Sequence, residues 1–169
     1  IATLMVPNVI LDITEGMSQW ACVANILLPL GIYTLLMSIS RKPGKMTWWL
    51  FPYIFFAAFQ VVLLYLYGEG VLAVDMLLNV VTTNVSEATE LLDGILPAVL
   101  IVCVLYLPPL CLAVINIRGN KTLYRTFLHK MRQIGCGITI AGLLSVATAY
   151  VAAPTFRLLN NVFPLNVTY

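Results

Sequence analysis

The chain has 169 residues, of which 61% are hydrophobic and 9% charged; its mean hydropathy is +0.96 and its formal net charge +2. Soluble domains carry about 25% charged residues, so this composition excludes an ordinary soluble enzyme and predicts an integral membrane protein. Cys22, Cys103, Cys111 and Cys136 form no CxxC pair, which argues against a zinc cluster or a disulfide framework and makes them small apolar packers. The small net charge gives no basis for nucleic-acid binding.

Four stretches hold no Asp, Glu, Lys or Arg: 16–40, 46–68, 94–117 and 133–156, each at least 23 residues long. About 20 apolar residues suffice to cross ~30 Å of hydrocarbon. The expected fold class is an all-α membrane protein with four complete transmembrane helices plus the remnant of a fifth, and with amphipathic periplasmic helices. The remnant is 1–11, apolar but too short to cross alone; the alternative is a re-entrant segment broken at Pro7. Residues 12–19 then make a short outer turn. Asn25, alone among apolar neighbours in the first span, calls for an interhelical hydrogen bond. In the second span Trp48, Trp49, Phe51 and Tyr53 mark one interface and Tyr65 and Tyr67 the other.

Between the second and third spans, 67–93 carries Glu69, Asp75, Glu87, Glu90 and Asp93, five of the seven acids. Val74, Leu77, Leu78, Val81, Val85, Ala88 and Leu92 fall on one helical stripe; Asp75, Asn79, Thr83, Glu87 and Glu90 fall on the opposite one. Such an element lies flat on the bilayer with its polar row facing water.

The third span starts near Gly94, with Pro97 in its first turn and Pro108-Pro109 bending it. The fourth presents Gly135, Thr139, Gly142, Ser145 and Ala149 on one face, which suits close helix packing. Eight of the nine basic residues lie in the two loops 41–45 and 118–132; all seven acids lie on the other side. Basic loops stay in the cytoplasm, so the acidic side is expected in the periplasm. His129, among basic residues, reads as an ordinary surface histidine. Domain organisation follows: 1–153 is the transmembrane domain, with amphipathic outer helices at about 69–93, and 154–169 leads towards a further periplasmic domain.

No Ser/His/Asp set, HExxH motif or phosphate-cradling glycine loop is present, and the spans contain no ionisable acid–base pair of the kind an ion-coupled transporter uses. What remains is Asn79, Thr83 and Glu87. Their spacing of four stacks an amide, a hydroxyl and a carboxylate on one helix face, about 6 Å apart. That set suits a zwitterionic headgroup, with Glu87 for an ammonium and Asn79 and Thr83 for phosphate or glycerol oxygens. The competing reading is structural: Asn84-Val-Ser-Glu87 is a capping box, with Asn84 as N-cap and Glu87 at N3.

Residues 67–92 resemble the first periplasmic helices of bacterial phosphoethanolamine transferases, the inner-membrane enzymes that modify lipid A or lipopolysaccharide core and include the colistin-resistance enzymes. The pattern is D-M-x-x-N-x3-T-x3-E-A-x2-L after a Tyr-Gly span end, here Asp75, Met76, Asn79, Thr83, Glu87, Ala88 and Leu91. Outside 67–92 the resemblance is one of layout, and it is closest to the core-modifying branch. It implies phosphatidylethanolamine as donor lipid, a glycolipid acceptor, and donor binding by Asn79, Thr83 and Glu87. It also implies a threonine nucleophile and zinc in a sulfatase-like, alkaline-phosphatase-like periplasmic domain. The chain shows neither that threonine in its setting nor zinc ligands, so no cofactor is expected within 1–169 and the chain alone is expected to be inactive. Two alternatives stand beside this: the membrane domain of a phosphoglycerol transferase of the lipoteichoic acid synthase type, and a non-catalytic membrane scaffold subunit.

Overall fold

The computed structural model describes residues 1–67, 85–152, 156–158 and 162, without the side chains at 15, 63, 64, 66, 67 and 85–95. Helix α1 (Ala2–Glu15) ends on Gly16, whose φ of 56° and ψ of 40° lie in the left-handed region that glycine enters without a Cβ penalty. Ser18 then caps α2 (Gln19–Ile39), its hydroxyl accepting from the Ala21 amide at 3.4 Å. The chain thus reverses within 16–18, and Asp12, expected in the turn, still belongs to the last turn of α1. Helix α1 also runs straight through Pro7. The ring removes one backbone bond without ending the helix, so a segment broken at Pro7 is not what forms.

The second expected span is divided. It becomes α3 (Pro43–Trp49) and α4 (Phe51–Tyr67), parted at Leu50. Pro52 lies just beyond the break; it donates no hydrogen bond and crowds the carbonyl four residues back, that of Trp48. Within the described residues α4 has 17 residues. Among the described residues three of the four expected spans are long and apolar enough to cross, Gln19–Ile39, Leu96–Arg118 and Arg125–Ala152.

The third of the expected spans is longer than anticipated. Helix α5 (Val85–Arg118) has 34 residues and passes through Gly94, Pro97, Pro108 and Pro109 without interruption. Pro97 was expected in a first turn and instead sits well inside. Helix α6 (Arg125–Ala152) closes the order. Val104 and Val151, 73% and 88% exposed, show that α5 and α6 keep apolar side chains on their outer faces, as a lipid solvent favours.

Two contacts between helices set the architecture. The closest is α2 against α6, where backbone meets backbone. A Cβ on Gly142 would stand 2.7 Å from the Leu28 Cα, and one on Gly31 would overlap Thr139. Gly135, Gly142, Ser145 and Ala149 are buried in this seam, as the small-residue face predicts. The other is α3 against α5, where a Cβ on Gly44 would meet the Ala113 carbonyl oxygen at 2.5 Å. Leu4, Met5, Tyr33, Leu50, Ile54, Ala57 and Tyr106 form the core that joins α1, α2, α4 and α5. Phe156 and Val162, beyond α6, are buried with Ala21 and Ala24 of α2, and Phe156 meets Tyr150 edge-on at 5.2 Å. The described tail residues therefore fold back onto the bundle.

The basic loops meet at one end of the bundle. The Leu123 amide donates to the Arg41 carbonyl at 2.8 Å and Lys42 Nζ to Asn120 Oδ1 at 2.9 Å. The α1–α2 turn, the end of α4 and the start of α5 lie at the other. All four cysteines are free; Cys22 and Cys103 are half-buried, but Cys111 and Cys136 are exposed, so packing within the bundle accounts for only the first two.

Because the α2–α6 seam leaves no space at Gly142, Gly142→Ala should destabilise the protein by about 1–3 kcal/mol. Gly137, one turn and a half earlier on the same helix, has nothing within 4 Å of its ideal Cβ. Gly137→Ala should therefore be neutral or stabilising, by up to about 1 kcal/mol from helix propensity. Thermal unfolding in detergent, followed by circular dichroism, separates the two signs.

Candidate functional site

The acid-bearing end of the bundle is where the expected headgroup row attaches. Of that row, Asn79 and Thr83 lie outside the described residues, as does Asn84 of the capping reading. Glu87 is the third residue of α5, and its side chain lies outside the description too. Its backbone position is informative. The charge-free run of α5 starts at Gly94, so Glu87 is carried about 10 Å further along the same helix axis. The polar part of 85–93 is thus continuous with a membrane-crossing helix, rather than a separate element lying flat.

Below this point, α1, α4 and α5 leave a cleft of about 150 Å³ lined by Ile10, Val61, Tyr65, Ala98 and Ile101. Its walls are aliphatic, and the Tyr65 hydroxyl is the one polar side-chain group among the lining residues. A volume of ~150 Å³ with such a lining takes a benzene-sized apolar group. The cleft can hold hydrocarbon; it has no charge with which to hold a headgroup. Tyr65 was expected as an interfacial anchor, and it forms the rim.

The same end contains a buried polar cluster that sequence reasoning found only in part. Asn25 was expected to bond another helix, and it does. Its Nδ2 donates to the Asn8 carbonyl at 3.0 Å and to Asp12 Oδ1 at 2.9 Å. Asn8 Nδ2 donates back to the Asn25 carbonyl at 3.0 Å and to Asn25 Oδ1 at 2.7 Å. Both asparagines are 0% exposed. The missed signal was the spacing of four between Asn8 and Asp12, which puts both on the α1 face that meets α2. Amides and a carboxylate arranged this way hold two helices together, and the Asp12 carboxylate also takes a hydrogen bond from the Cys22 thiol.

No three His, Cys, Asp or Glu side chains come together among the described residues in a way that could hold a metal ion. His129, at the opposite end, is exposed.

Residues 30–162 match the family model described as phosphoethanolamine transferase EptA/EptB. The match opens in the middle of α2 and takes in α3 to α6 together with Asn79, Thr83 and Glu87. Comparison with curated proteins and with solved structures gives no match.

Asn25→Leu should lower stability by about 1–3 kcal/mol, because it leaves the buried Asn8 amide and Asp12 carboxylate without their partner. Ser145→Ala is the control. Ser145 is also buried but donates only within its own helix, to the Ala141 carbonyl at 2.8 Å, and should cost less than half as much in the same thermal unfolding measurement.

Proposed function

The chain belongs to the phosphoethanolamine transferase EptA/EptB family, and we propose on that premise that it is the membrane domain that docks the donor lipid phosphatidylethanolamine. The family match carries this reading, because it spans the whole polar row rather than the apolar helices alone. In the proposal Glu87 pairs with the ethanolamine ammonium, and Asn79 and Thr83 donate to phosphate or glycerol oxygens. Two features of the fold support it. Helix α5 lifts Glu87 beyond the apolar span, to headgroup height. The aliphatic cleft beside Tyr65 offers a place for an acyl chain of the same lipid.

The proposed reaction passes phosphoethanolamine from this donor to a lipid A or lipopolysaccharide acceptor on the periplasmic side of the inner membrane. The basic loops then face the cytoplasm, as the positive-inside bias favours. The described residues do not fit a metal site, so zinc and the accepting threonine are assigned in this proposal to a sulfatase-like periplasmic domain outside these 169 residues. The chain alone is expected to bind the donor and to leave it intact.

The discriminating variant is Glu87→Gln, measured in the full-length transferase. Glutamine serves as well as glutamate at N3 of a capping box, so a purely structural Glu87 predicts near-normal transfer. An ammonium partner predicts a loss of about tenfold to a hundredfold, the scale of one hydrogen bond to a charged group. Transfer from radiolabelled phosphatidylethanolamine, with expression and thermal stability unchanged, reads the difference. Wild-type rates in Glu87→Gln would remove the headgroup role.

A further inference from the structure

At the basic end, α2 and α6 diverge just beyond their glycine seam and leave a cleft of about 340 Å³. Arg41, Arg125, His129 and Arg132 line it, with Ile39 and the buried Leu128. Arg125, His129 and Arg132 stand at spacings of four and three, which places them on one face of α6. Arg41 reaches the same cleft from the end of α2. Neither Asp nor Glu lines it.

From this geometry we infer a binding site for the phosphate of an anionic phospholipid, in the leaflet on the side of the basic loops. Three observations carry it. First, the arginines are held but not used up. Arg132 Nη2 donates to the Ser38 carbonyl at 3.4 Å and Arg41 Nε to the Leu123 carbonyl at 3.5 Å. A guanidinium has five N–H donors, so most of each fork remains for a phosphate, which it can engage in a bidentate way. Basic pockets between transmembrane helices hold anionic headgroups by this chemistry. The N-terminal turns of α6 form the same wall, and the positive end of the helix dipole adds to the field.

Second, the site has an apolar side. Ile39, 64% exposed, and the buried Leu128 line the cleft beside the charges. From Gln133 onward α6 carries no charge up to its end. The arginines therefore stand where hydrocarbon gives way to headgroups, with aliphatic wall below them. A free anion would use the charges and leave that wall bare.

Third, the charge set selects. A zwitterionic headgroup would bring its ammonium among guanidinium groups with no carboxylate to receive it, and like charges there repel. An anionic headgroup meets no such cost. The site thus differs in chemistry from the acid-bearing end, and it stands whether or not that end binds phosphatidylethanolamine.

The test uses the chain purified in a neutral detergent and titrated with phosphatidylglycerol, phosphatidylethanolamine or inorganic phosphate. Retained lipid is counted by native mass spectrometry. Phosphatidylglycerol should bind at least tenfold more tightly than phosphatidylethanolamine. Arg125→Gln and Arg132→Gln should each weaken it about tenfold. Arg118→Gln, on the same side but outside the cleft, should not. Arg125 is exposed and makes no hydrogen bond that folding needs, so Arg125→Gln keeps the test valid should Arg132→Gln unfold. Equal binding of the two lipids, wild-type binding in Arg125→Gln, or displacement of phosphatidylglycerol by inorganic phosphate would each overturn the assignment.

Discussion

The contact between α2 and α6 is made by backbone, and the rest of the arrangement rests on it. In a bilayer the hydrophobic effect does not drive one apolar helix onto another, since lipid tails are as apolar as leucine. Attraction must come from close packing, and packing gains most when nothing stands between the helices. Gly31, Gly135 and Gly142 supply that closeness. The helices can touch along their middles only because these positions have no side chain. Their diverging ends follow from the same fact, because bulkier residues such as Leu128 and Arg132 replace glycine on α6 towards the basic end. The arginine cleft is in this sense a by-product of where the glycine seam stops.

With packing settled by small residues, most polar groups are sorted to places where they meet a solvent or a partner. Basic residues gather at one end and acidic residues on the segments of the other. Within the bundle, Asn8, Asn25 and Asp12 bond one another across α1 and α2. The Tyr33 and Tyr106 hydroxyls are buried with no hydrogen-bond partner among the described residues. They lie in the core that joins α2 and α5 to α1 and α4, and their rings supply most of their stabilising contact there.

Much of this was legible in the residues, and the parts that were not share a cause. Runs without charge located the spans. The small-residue stripe of α6 announced its packing face, and Asn25 announced a partner, because each signal depends on residue type at helical spacing alone. Proline was a weaker guide. Pro108 and Pro109 sit inside a helix as expected, but Pro97, expected in a first turn, sits well inside the same one, and the chain parts at Leu50, just before Pro52, where a break was not expected. A proline's local cost is similar in every case; whether the helix continues depends on neighbours that replace the lost bond and hold the bend. That information is tertiary. The same holds for Asn8, whose role depends on α1 lying against α2. The headgroup row was visible as a pattern at spacing four, and its weight came from family resemblance more than from spacing.

The continuity of α5 has a consequence for how such a domain can work. A helix that begins at Val85 and ends at Arg118 is about 51 Å long, well over the ~30 Å hydrocarbon thickness. Its excess lies on the acid-bearing side, because the charge-free run extends from Gly94 to the basic loop. Glu87 is thus referenced to the bundle through covalent helix rather than through a hinge at Gly94. Tilt or rotation of α5 would move Glu87 and the wall of the Tyr65 cleft together, since Ala98 and Ile101 of the same helix line that cleft. Under the proposed function, headgroup and acyl-chain contacts would sit on one rigid element and keep their relative distance while the rest of the bundle adjusts. A lipid held at two points in that way would present its phosphate at a height set by the helix.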